Sequence, residues 1–269
     1  MTTPENSFDT LLDGAVAAAR AAGSHALTNG ARRREAVAQF AHDVKLKLDE
    51  ECQQIVQREI TARFPGHAIV GEEDATVGGR AGAGVEWVVD PIDGTVNFSH
   101  GLPFWCCSVA AMKNGETVAG AVYAPALGVC YTARLGGGAF CNGEPIRVSA
   151  VSDLAGAMIL TGLDKSPDGD LPPFALFEAT SNSVQKARIL GSAALDICRV
   201  AHGQADGYFE TGIYIWDIAA ARLIATEAGG KAEILQRLER GRLRFLATNG
   251  GIHRAYRTVL TDLIGPAGR

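Results

Sequence analysis

The stretch WVVDPIDGTVNF, Trp87 to Phe98, places two aspartates three residues apart at the end of an apolar run. Trp87, Val88 and Val89 read as the end of a buried strand that begins near Val85, and Pro91 keeps Asp90 out of helical conformation. Gly94 follows Asp93 and permits a close backbone approach that a side chain would block. Two readings compete. Asp90 and Asp93 either form a polar turn capping the next helix, or belong to a site for a divalent cation.

Distant acids bear on the choice. HAIVGEED (67–74) reads as a strand running into Glu72, Glu73 and Asp74. Asp217 follows Trp216 and opens the alanine-rich helix DIAAARLIATEAGG, closed by Gly229 and Gly230. Taken singly, Glu72 and Glu73 read as a solvated loop, and Asp93 and Asp217 as helix N-caps. If Glu72, Asp90, Asp93 and Asp217 converge, each pair about 4 Å apart repels by roughly 4 kcal/mol at a surface-like dielectric. Protonation, a basic partner or a bound cation would relieve that. No Lys or Arg lies within DPIDGT or beside Asp217. Oxygen donors without His or Cys suit Mg²⁺ first and Mn²⁺ second. A helix N-terminus after Gly94 and Thr95 offers N–H groups and a dipole suited to phosphate. Ions beside it would bind the attacking water and the leaving oxygen of a phosphate ester. The reading is hydrolysis of a phosphate monoester without a covalent intermediate, with the Thr95 hydroxyl orienting the water.

The rest of the chain is consistent with a globular enzyme. It has 269 residues, 47% hydrophobic and 20% charged, with net charge −5 and no long basic block, which argues against nucleic acid as a partner. The first residues lack a basic start and a cleavable apolar core, and no stretch is long enough to span a bilayer. The six cysteines form no C-x-x-C pair and read as reduced core thiols of a cytoplasmic protein. The histidine spacing gives no zinc motif. Phe8 to Ala19 follows helical spacing. In DVKLKLD (43–49), Val44, Leu46 and Leu48 alternate as a short strand, and Asp49 takes the N-cap position of a helix ending at Pro65 and Gly66. The glycine-rich TVGGRAGAG reads as a loop. From Phe104 to about Val148 the signal is all β, with Asn114-Gly115 and Gly128 as turns; no nucleotide loop is present. Beyond it, AMIL, KARIL, DGYFE, KAEIL and LRFLA read as strands among four helices. The expected division is an α+β half, 1–150, carrying most metal ligands, and an α/β half, 151–269, carrying Asp217 and pocket residues.

IVGEED, WVVDPIDGTVNF and IWDIAAARLIATEAGG together resemble the inositol monophosphatase family of Mg²⁺-dependent, Li⁺-sensitive phosphatases, in the family's order and over nearly the whole chain. The resemblance implies a layered αβαβα sandwich of the inositol monophosphatase and fructose-1,6-bisphosphatase type. It implies that Glu72, Asp90 and the Ile92 carbonyl hold one ion, that Asp90, Asp93 and Asp217 hold a second, and that a third shares Glu72 through water. Gly94 and Thr95 would contact phosphate through backbone N–H. Asp49 would pair with Thr95 to activate the water, with Glu72 among the catalytic acids and Glu73 behind them. Gly191 and Ala193 would line the substrate pocket, and Glu210 would bind a ring hydroxyl. Tyr214 stands where the best-known members carry histidine, and the family's D-x-V-T-x-x-D reads DVKLKLD. The substrate implied is inositol monophosphate. Histidinol-phosphate, fructose-1,6-bisphosphate and 3′-phosphoadenosine-5′-phosphate are the alternatives. A homodimer is the expected assembly. Some bacterial relatives act instead as binding factors in transcription and ribosome biogenesis.

Overall fold

The computed structural model describes residues 7–39, 44–73, 84–163 and 174–264. Asp43, Asp74 and the TVGGRAGAG loop before Gly84 lie outside them. In chain order the elements are α1 (Phe8–Thr28), β1 (Ala36–Gln39), β2 (Val44–Leu46), α2 (Lys47–Arg63), β3 (Ala68–Gly71), β4 (Val85–Asp93) and α3 (Thr95–His100). There follow β5 (Cys106–Lys113), β6 (Glu116–Ala124), β7 (Val129–Arg134), β8 (Ala139–Cys141), β9 (Glu144–Pro145), β10 (Met158–Thr161) and α4 (Ala175–Ser183). The last are β11 (Lys186–Arg188), α5 (Ala193–Ala201), β12 (Gly207–Ile213), α6 (Ile215–Glu227), β13 (Lys231–Arg237), β14 (Leu243–Thr248) and α7 (His253–Ile264).

These elements stack in five layers. Helices α1 and α2 cover one face of a seven-stranded sheet ordered β3-β4-β5-β6-β7-β8-β9. Helices α5 and α6 lie between its other face and a five-stranded sheet ordered β11-β10-β12-β14-β13, and α4 and α7 cover the far side. The arrangement is the expected αβαβα sandwich. Sequence explains the layers. Helix α1 buries Leu11, Ala15, Ala18, Ala19, Ala22 and Ala26 along one stripe, and Ser7 caps it by accepting from the Thr10 N–H. Helix α6 is buried nearly all round because it has a sheet on each side. Its alanines permit close approach: a Cβ on Gly120 of β6 would lie 2.9 Å from Ala220 Cα. Each fully buried Leu, Ile or Phe in these layers contributes about 1.5–3 kcal/mol. All six cysteines are free and buried. Among the described residues no helix is long and apolar enough to cross a membrane.

The decisive stretch behaves differently from its first reading. Strand β4 does not stop at Asp90 but runs through Pro91 to Asp93. Asp90 pairs with Ser108 of β5 and Asp93 with Cys106, so three steps on one strand match two on the other. Residues three apart on a regular strand face opposite sides. The bulge cancels that, and both aspartates join Val88 and Cys106 on the side facing α5 and α6. Pro91, having no N–H for the ladder, is suited to the irregular position.

Three local expectations are corrected. The β2 strand ends at Leu46, and Leu48 is already helical, so alternation over Val44, Leu46 and Leu48 overran the element. Asp49 is not the N-cap of α2: Leu46 is, and Asp49 Oδ2 reaches back to accept from the Leu46 N–H at 2.8 Å. Asp217 likewise stands inside the first turn of α6, accepting from the N–H of the capping residue Tyr214 at 2.6 Å.

Candidate active site

Strand β4 and its bulge turn Asp90 and Asp93 toward α5 and α6, while the Ile92 side chain packs in the core under α1 and α2. Asp90 is 2% exposed, and its Oδ1 is buried with no hydrogen-bond partner. Burial pushes its carboxyl well above the usual carboxylate range, and Glu72, Asp93, Asp217 and Asp49 push it further, in that order. These four acids thus lie within electrostatic reach of Asp90. Glu72 is exposed at the end of β3, where its N–H donates to the Val89 carbonyl at 3.2 Å.

Asp93 caps a helix, but not the one that follows it. Gly94, at φ +92°, is the N-cap of α3. The Asp93 carboxylate instead caps α5, about a hundred residues away. It accepts from the N–H of Ala193 at 3.1 Å and of Ala194 at 2.8 Å, and from the Ser192 hydroxyl at 2.5 Å. These bonds and the Cys106 thiol oppose the burial that raises its pKa. The backbone here is tightly apposed. A Cβ on Gly94 would lie 3.1 Å from both the Gly191 and Phe104 carbonyl oxygens. Asn97 of α3 donates to the Phe104, Leu190 and Gly191 carbonyls at 2.9, 2.8 and 3.2 Å. The Thr95 hydroxyl donates to the Ile92 carbonyl at 2.9 Å.

On the far side, Tyr214 stacks on Trp216 with ring centroids 4.6 Å apart. Glu210, on β12, accepts from the Tyr208 hydroxyl, and the absent side chain of Gly162 leaves room for its carboxylate. Sequence reasoning missed Ser192, Asn97 and Asp196. Asp196 of α5 is buried, its Oδ1 has no hydrogen-bond partner, and burial, then Asp93 and Glu210, raises its pKa well above normal. A buried polar side chain in the apolar run AALDICRVA was the available signal.

The residues fit a hard divalent cation. The donors are all oxygen, and Asp90 Oδ1 is a buried acceptor left without a donor. Among the described residues, no three His, Cys, Asp or Glu side chains already converge in a geometry that would hold an ion. Asp49, Asp93 and Asp217 each accept a backbone hydrogen bond instead.

The fold is of the layered αβαβα class, and the family that the sequence matches makes the chain a phosphoric monoester hydrolase. The profile of the inositol monophosphatase family matches residues 8–263, and the chain belongs to that family. It is 39% identical over 230 residues to an inositol monophosphatase of Dictyostelium discoideum, covering 83% of this chain and 84% of that one. It is 38% identical over 224 residues to the Nus factor SuhB of Pasteurella multocida (strain Pm70), covering 82% and 83%. Its fold superposes on the inositol monophosphatase structure from Anabaena (Nostoc) sp. PCC 7120 with a TM-score of 0.82, at 32% identity over 95% and 96% of the two chains.

Proposed function

We propose that the chain hydrolyses a small phosphate monoester, inositol monophosphate first, in a Mg²⁺-dependent reaction. Asp90 carries this reading: a buried carboxyl with an unpartnered oxygen, within electrostatic reach of four other acids, is suited to a cation. Glu72, Asp90, Asp93, Asp217 and the Ile92 carbonyl are the proposed donors for two or three ions, with Mn²⁺ as a substitute. Bound ions would supply charge neutralisation for the phosphoryl group and acidify water. Thr95 and Asp49 hold the nucleophilic water and its proton, with Glu72 assisting. The Thr95 hydroxyl, held by the Ile92 carbonyl at 2.9 Å, stands beside one of the proposed donors. Backbone N–H groups of Gly94 and Thr95 orient the phosphate. Gly191, Ala193, Glu210 and Tyr214 surround the leaving alcohol, with Glu210 accepting from one of its hydroxyls.

The test is phosphate release from a panel of esters at saturating Mg²⁺. The reading expects the highest kcat/KM for inositol monophosphate. A preference of orders of magnitude for histidinol-phosphate, fructose-1,6-bisphosphate or 3′-phosphoadenosine-5′-phosphate would move the assignment within the family. Li⁺ inhibition is part of the reading, and unchanged turnover in millimolar Li⁺ at limiting Mg²⁺ would remove it. The six buried free cysteines support a reducing, cytoplasmic setting. Exposed Val96, Leu102, Ile189 and Leu190, tied together through Asn97, support a homodimer formed on that face.

A second reading, a binding role in transcription or ribosome biogenesis without turnover, is supported by the similarity to a protein named Nus factor SuhB. Recovery of RNA polymerase on this chain, with no Mg²⁺-dependent hydrolysis of any ester, would favour it.

A further inference from the structure

Among the six buried residues of β5, Cys106 to Ala111, Ser108 is the one hydroxyl. It is 1% exposed, and its Oγ has no hydrogen-bond partner. A hydroxyl carries both a donor and acceptor lone pairs, so one that is buried and unpaired calls for a reason. Its place in the sheet supplies one. Ser108 pairs with Asp90 of β4 on one side and with Val122 of β6 on the other. Directly opposed residues share a face, and their Cβ atoms stand about 4.5–5.5 Å apart. That face is the one turned to α5 and α6, where Val88, Cys106, Ala110 and Val122 lie. Along β5 the neighbours on it are Cys106 and Ala110. The side chains of Ala110 and Val122 offer no polar atom. The Cys106 thiol is already engaged, with Asp93 Oδ2 at 3.5 Å and the Ser192 hydroxyl at 3.8 Å. Asp90 is left, and its Oδ1 is the other buried side-chain atom on this rung without a hydrogen-bond partner.

We infer that Ser108 is a positioning residue for Asp90: its hydroxyl donates to Asp90 Oδ1 when the carboxylate holds a cation, and so fixes the direction in which the carboxylate meets the ion. The inference rests on the metal-dependent reading, which makes Asp90 a ligand. A turn about χ1 moves the serine hydroxyl between its staggered positions with no change in the backbone. A carboxylate on a cation only accepts, and a serine hydroxyl donates, so the two unpaired groups match. Partners of this kind behind a metal ligand hold its orientation and raise the affinity of the site. A serine that merely filled space under α6 would do nothing for the ion, and any side chain of its volume would replace it.

The experiment is Mn²⁺ binding to the full chain, read by the EPR signal of free Mn²⁺, together with the melting temperature of the metal-stripped chain. The parent is compared with Ser108→Ala and Ser108→Cys. Ser108→Ala deletes a hydroxyl that has no partner without the ion, so the metal-stripped variant should melt at or above the parent. Its Mn²⁺ affinity should fall about tenfold. Ser108→Cys restores the volume with only a weak donor and should bind Mn²⁺ as weakly as Ser108→Ala. Affinity in Ser108→Ala within about twofold of the parent overturns the proposal. Parent-like affinity in Ser108→Cys does the same, since volume alone would then suffice. So does an affinity loss in Ser108→Ala that comes with a lower metal-stripped melting temperature. A parent chain that takes up no Mn²⁺ refutes the metal-dependent reading itself, an outcome distinct from a parent that binds the ion and a Ser108→Ala that binds it equally well.

Discussion

Asp90 carries a cost in the fold that its chemistry explains. An ionised carboxylate at that depth, facing Glu72, Asp93, Asp217 and Asp49, is opposed by desolvation and by every neighbour. Replacing it with the neutral isostere removes the penalty and the proposed ligand together. Asp90→Asn is therefore expected to stay folded, with a metal-free melting temperature at or above the parent's. Its Mg²⁺-dependent turnover should fall by at least about 100-fold, since even residues behind the ligands cost 10–100-fold when lost. Near-normal turnover would contradict the role given to Asp90. Ser192 acts one step removed, through its 2.5 Å hydrogen bond to Asp93. Ser192→Ala should lower kcat about tenfold with little change in KM, and Ser192→Thr should recover most of it. Equal loss in both variants would point to packing alone. Asp90, Asp93, Glu72 and Asp217 were legible because acids at strand and helix boundaries stand out from their apolar flanks. Ser192 was not, since its role depends on a contact 99 residues away in sequence.

At the scale of elements, periodicity located most helices and strands, and pairing set what periodicity could not. The bulge at Pro91 exists only in the register of β4 against β5, so a strand read alone appeared to end at Asp90. The β2–α2 junction was misplaced because three alternating apolar residues fit a strand as well as a helix start. Helices α1 and α2 were both read from their apolar stripes, but not the polar tie between them. Glu51 of α2 accepts from Arg32 Nη2 at 2.7 Å and pairs with His25 Nε2 at 2.9 Å. The Arg32 guanidinium, then His25, holds the Glu51 carboxyl down at about 2, below its ordinary 4.5. A folded-state value below the unfolded one gives stability that is present above about pH 4.5 and is lost as pH falls toward 2. Glu51→Gln should accordingly melt below the parent at neutral pH, and the gap should close across that acid window. A gap independent of pH would mean that the ion pair contributes nothing.

For the molecule as a whole, the acids come from layers that only the complete fold assembles. Asp49 is delivered by the outer helix α2, Glu72, Asp90 and Asp93 by the larger sheet, and Asp217 by the middle helix α6. The αβαβα order was legible through the resemblance of three motifs, and not through composition, which fits many folds. Leu102, 54% exposed among the apolar residues around Asn97, tests the proposed assembly. Leu102→Glu is expected to shift the chain from dimer to monomer in sedimentation, and a monomeric parent would remove the dimer. The measurement that bears most directly on the central claim is phosphate release from inositol monophosphate as Mg²⁺ is titrated into the metal-stripped chain. Turnover that is absent without the ion and rises to saturation with it is the predicted result. A rate indifferent to Mg²⁺ and to chelator, or no release at any Mg²⁺ concentration, would contradict it.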